Sequence, residues 1–155
     1  MRRYFRPLAM ASFLVGCDSG AYTPPKPPPG SACYRLSFSS SSAELKREEM
    51  AWFMPPDVIA LTPQLVEHPA RAGAFRVLPD IDPGLPVRRK VAFAEWRTTS
   101  TGGVEILWGN GFVGITLALH RVGNDLQGTA TTFSDAPGGT YNATVTARSM
   151  ACEVS

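Results

Sequence analysis

Few residues in this chain could do chemistry, and the three cysteines come first. Cys17, Cys33 and Cys152 are spread over 155 residues. A thiol serves as nucleophile, metal ligand, disulfide partner or acyl acceptor, and its surroundings decide which. A metal site needs three or four converging His, Cys, Asp or Glu ligands. The two histidines, His68 and His120, are alone in the sequence, and His120 falls in the polar phase of an alternating stretch. Asp80 and Asp82 flank Ile81 ahead of Pro83-Gly84 and read as turn residues, because the spacing and closing glutamate of a calcium loop are absent. Glu95 and Glu105 sit on the polar parity of neighbouring segments. Two surface carboxylates are the plain expectation, and a glycosidase-like acid pair the sharper one. Arg88-Arg89-Lys90 reads as a solvated loop, with anionic headgroups as the alternative contact. No nucleophile elbow or phosphate loop occurs, and Gly109 and Gly111 belong to a hairpin signal. The expectation is a non-enzymatic protein with no metal ligand, cofactor or catalytic residue.

The elements around Cys17 give it a different task. Arg2, Arg3 and Arg6 precede an apolar run from Leu8 to Val15 that ends at Gly16. This has the shape of a secretory signal. Eight helical residues cover only about 12 Å, too little for a hydrocarbon core of roughly 30 Å. Leu14-Val15-Gly16-Cys17 resembles the lipobox of bacterial lipoproteins. The resemblance implies cleavage before Cys17, which would carry a thioether-linked diacylglycerol and usually an N-acyl chain. Two or more chains anchor stably, each buried CH₂ adding about 0.8 kcal/mol. It also implies a cell-envelope location facing the periplasm or the exterior, with the membrane as a partner through the lipid. Residues 1–16 are then a signal peptide, 17–31 a lipidated, Pro-rich tether and 32–155 the folded domain.

Removing that signal changes the charge. The chain has 15 basic and 13 acidic residues, and loss of Arg2, Arg3 and Arg6 leaves 15 − 3 = 12 basic. The side-chain balance becomes −1, which removes the support for nucleic-acid binding. From Cys17 onward 155 − 16 = 139 residues remain, one domain's worth. With Cys17 given to lipid, Cys33 and Cys152 are an even pair in an oxidising space, and a disulfide between them is expected. It would close nearly the whole domain, for which the chain-entropy treatment gives about 4.7 kcal/mol at roughly 100 residues.

The tether holds Pro24-Pro25-Lys26-Pro27-Pro28-Pro29, which favours extended polyproline II. At about 3.1 Å per residue its fourteen or so residues reach roughly 40 Å, as a spacer.

Beyond it the chain alternates with period two. Tyr34, Leu36 and Phe38 share one face of a strand, and Cys33, Arg35 and Ser37 the other. A short helix is expected over 43–54, with Ser41 and Glu44 as a capping box and Pro55-Pro56 as its stop. Strands follow at 58–61, 74–78, 91–98, 104–108, 112–121, 126–133 and 141–148. Asn110-Gly111 predicts a type I′ hairpin, with both residues at positive φ. About eight strands joined by short turns make an antiparallel meander. Cys33 and Cys152 share the polar parity of the first and last strands, as a bridge at the seam of a closed barrel requires. The fold class is therefore all-β, with at most one short helix.

Strand count, meander order, Leu126-Gln127-Gly128-Thr129-Ala130 after a tight turn, and Arg148 late in the last strand resemble a small lipocalin-like barrel. The family's Gly-x-Trp is replaced here by Cys33-Tyr34-Arg35-Leu36. Together with the lipobox and Trp108-Gly109-Asn110-Gly111-Phe112, the chain resembles exported bacterial lipoproteins of uncharacterised activity. Two functions are expected. The first is a binding domain for a small apolar ligand, with Tyr34, Trp96 and Trp108 as candidate contacts and small inward residues such as Ala92, Ala94, Gly128, Ala130, Ala143 and Ala147 around them. The second is a structural or accessory envelope lipoprotein that touches another protein, through Trp52, Phe53 and Met54. A cavity above roughly 300 Å³ favours the first; a filled barrel with an exposed apolar patch favours the second.

Overall fold

A computed structural model describes residues 25–39, 54–64, 67–68, 71–79, 93–135 and 140–152. Among these residues the chain is all strand and turn, with no helix. The strands are β1 (Ala32–Phe38), β2 (Val58–Leu61), β3 (Glu67–His68), β4 (Arg71–Leu78), β5 (Phe93–Thr98), β6 (Val104–Gly109), β7 (Val113–Val122), β8 (Asp125–Ser134) and β9 (Asn142–Met150). All eight expected strands are present. The ninth, β3, is two residues long and too short to show a period. The expected helix over 43–54 lies outside the described residues except for Met54, which packs on the core.

Eight strands close on themselves in the ring β1–β2–β4–β5–β6–β7–β8–β9, every pair antiparallel. β1 meets β9 from Cys33↔Met150 to Phe38↔Val145. β2 meets β4 through Ala60↔Leu78 and Leu61↔Val77, which completes the ring. β3 pairs only with β4 and stands outside it. The result is an up-and-down barrel of the small lipocalin-like kind.

The alternation fills its interior. Inward residues run in rows across the ladder, and large ones are set against small ones. Ala94 pairs with Trp108, Leu119 with Gly128, and Ala147 with both Leu36 and Leu126. The small residues therefore make room for bulky neighbours. Trp108, Ile106, Leu117 and Val145 are fully buried in one core cluster. Each such side chain contributes about 1.5 to 3 kcal/mol. Trp96 donates its Nε1–H to the Thr62 carbonyl at 3.1 Å and packs on Phe75 with ring centroids 5.3 Å apart.

The β6–β7 hairpin forms where expected but turns differently. Asn110 N–H donates to the Val113 carbonyl at 3.0 Å, so Gly111 and Phe112 are the central residues. Asn110 Oδ1 accepts from the N–H groups of Phe112 and Val113 at 3.0 and 2.9 Å. This side-chain turn holds Asn110 at negative φ, and Gly111 alone takes the positive value, 93°. With only Gly111 at positive φ, the expected type I′ turn, which needs two such residues, does not form.

Candidate functional site

The outward face of the seam carries an apolar row. On β1 it carries Cys33 and Arg35, on β9 Arg148 and Met150, on β2 Val58 and Ala60, and on β4 Leu78. Register lines these up as two rows. One runs Leu78, Ala60, Cys33, Met150; the other Val58, Arg35, Arg148. The first row is apolar: Leu78, Ala60 and Cys33 form a second buried cluster, separate from the barrel core, with the half-buried Met150 and Cys152 packed against it. Cys33 and Cys152 are joined as a disulfide, with Cα atoms 5.2 Å apart. That spacing falls within the usual range for a bridge. The bond ties the start of β1 to the chain just past β9, on the outer face, as parity requires.

The tether folds onto the same face. Pro28-Pro29-Gly30-Ser31 makes a turn in which Ser31 N–H donates to the Pro28 carbonyl at 3.1 Å, with Gly30 at φ 84°. Proline at the first central position and glycine at the second is the type II pattern. The Cys152 sulfur lies 3.4 Å from the Ser31 carbonyl. Pro25 and Pro27 thereby reach the apolar row and wall a half-open cleft of about 310 Å³. Ala60, Leu78 and Met150 line it, with Val58 and Arg35 at its edge. Residues 25–31 therefore belong to the domain surface rather than to a free spacer.

Of the aromatic residues expected to touch a ligand, Tyr34 and Trp96 come together at one end of the barrel, around a smaller recess of about 200 Å³ that also holds Arg121. Trp108 lies deeper, between Ala94 and Ile115, fully buried. Its Nε1–H has no hydrogen-bond partner among the described residues. Trp52, Phe53, Asp80, Asp82, Arg88, Arg89, Lys90 and Cys17 lie outside the described residues. Met54 is half-buried. His120 is exposed. The expectation of two surface carboxylates fails for Glu95, which is buried although it points outward, opposite Arg76 and Leu107. Glu105 pairs with Arg97.

Val58, Ala60, Leu78 and Met150 were not singled out as site residues from sequence. The available signal was parity: residues in phase with Cys33 on strands where polar side chains are expected are apolar instead. No family model, curated protein or solved structure matches the chain.

Proposed function

We propose that the chain is a lipid-anchored envelope protein, non-enzymatic, whose barrel binds a small apolar ligand on its outer wall. The anchor is Cys17, at the end of the lipobox-like Leu14-Val15-Gly16-Cys17. The observation that carries the binding reading is the cleft of about 310 Å³, floored by the disulfide cluster and walled by the tether. Its volume lies at the small end of known ligand sites, and its lining is mainly apolar with one charged group, the usual make-up of such sites. Among the described residues the barrel end at Tyr34 and Trp96 offers a smaller recess of about 200 Å³, so this reading takes the outside of the seam, in place of Tyr34, Trp96 and Trp108, as the contact surface.

A second reading, an accessory protein acting through protein contacts, draws on Phe112. This side chain stands at the β6–β7 hairpin tip and is 66% exposed. Native mass spectrometry of the full-length protein taken from its own membrane separates the two. A retained small mass that is lost in Val58→Trp, a change that fills the cleft edge, supports ligand binding. A bare protein, or one retained with another polypeptide that Phe112→Ser releases, supports the accessory reading instead.

A further inference from the structure

The cleft has a polar end, and its chemistry is specific. Arg35 and Arg148 are directly paired across β1 and β9, and both point outward. Opposed side chains in an antiparallel pair have Cβ atoms about 4.5 to 5.5 Å apart, and like charges in this position repel. Nearby acids form no ion pair with them among the described residues. Asp125, beside Arg148 on β8, is engaged through Oδ1 by the Ser149 N–H at 2.8 Å. Neither guanidinium has an ion-pair or hydrogen-bond partner among the described residues. Arg35 lines the cleft, and Arg148, its cross-strand partner, stands next to it just outside the lining; an apolar cleft with two adjacent cations at one end is complementary to one kind of molecule.

We infer that the cleft takes a single-chain anionic amphiphile, its carboxylate or phosphate held between Arg35 and Arg148 and its chain laid over Ala60, Leu78 and Met150. This rests on the apolar-ligand reading above and adds the charge of the head. Guanidinium groups suit such heads because their planar donors match two acceptor oxygens at once. The volume, about 310 Å³, fits one chain rather than a patch of bilayer. Position favours a membrane-derived ligand. From Cys17 to Pro25 the chain advances 25 − 17 = 8 residues, at most about 28 Å when fully extended. An anchored Cys17 therefore keeps the cleft close to the source of such molecules.

The test uses the full-length protein in phosphatidylcholine nanodiscs, titrated calorimetrically at pH 7 with octanoate and with octanol, empty nanodiscs subtracted. Octanoate is expected to bind about tenfold tighter than octanol, the scale of hydrogen bonds to a charged group, and to lose that advantage as salt rises. The double variant Arg35→Gln, Arg148→Gln is expected to bind both at the octanol affinity, with a melting temperature no lower than wild type, because both side chains are exposed and their mutual repulsion is removed. Val58→Trp is expected to weaken both ligands. Equal binding of octanol and octanoate by wild type overturns the anionic assignment and leaves the apolar reading standing. An octanoate preference that survives the double variant overturns the assignment to these arginines. Failure of both ligands to bind, or indifference to Val58→Trp, removes the apolar reading itself. Binding that needs phosphatidylglycerol in the nanodisc, with no octanoate response, assigns the arginines to a bilayer surface and overturns the proposal.

Discussion

The wall built from β6, β7 and β8 and the wall built from β9, β1 and β2 use similar strands but are held together differently. In the first, each strand follows its neighbour through a tight hairpin, and β7 and β8 pair from Val113↔Ser134 to Val122↔Asp125 without interruption. Closing such short loops costs little entropy. One face of this wall packs on the core, while Thr116, His120, Gln127 and Thr129 meet solvent. In the second wall, β1 and β9 come from opposite ends of the domain, and closing that distance is costly. Here the sequence supplies a bond between residues 119 apart and buries side chains on both faces. Tyr34, Leu36 and Ala147 pack inward, while Cys33 and Ala60 pack outward against Leu78 of β4. The extra apolar cover that supports the seam also creates a cleft. Local connectivity leaves a wall free to be polar outside; distant connectivity makes the outer face part of the stability problem, and there a ligand site can form.

The largest expected effect breaks the seam. Cys152→Ser should destabilise the full-length protein by about 2 to 5 kcal/mol, read as a lower melting temperature. It should also weaken octanoate binding, because the bond underlies the cleft. Coincident melts would mean that β1 and β9 hold without the staple, and the contrast between the walls would disappear.

Much of this architecture was legible beforehand. Period-two alternation gave all eight ring strands, since burial on one face writes itself into the sequence. The parity of Cys33 and Cys152 gave the seam. Three things were less accessible. The β6–β7 turn depended on whether Asn110 takes positive φ or uses its side chain, and both begin with the same dipeptide. The question of hollow or filled depended on register, because Ala94 signals a cavity alone and good packing once Trp108 is opposite it. The cleft depended on the placement of Pro25 and Pro27 across from β2 and β4, an arrangement that composition does not encode; proline richness indicated only an extended segment.

A smaller effect is expected in the hairpin wall. An added Cβ at Gly128 would fall on the Ala118 backbone carbonyl, an atom that the ladder holds in place. Gly128→Ala should cost about 1 to 3 kcal/mol, as overpacking does, measured by chemical denaturation. Octanoate affinity should be unchanged once the variant is kept folded. A parallel loss of binding would show that the two walls are not independent and that the cleft reports on the whole barrel.

The central claim is that a ligand sits outside the seam and not within the barrel. Methyl-detected NMR of the full-length protein in nanodiscs, with labelled alanine and methionine, tests it directly. On saturation with octanoate, the Ala60 and Met150 methyls should shift while Ala94, Ala130 and Ala143 stay in place. Shifts confined to Ala94, Ala130 and Ala143, with Ala60 and Met150 unmoved, would place the ligand in the interior and contradict the account.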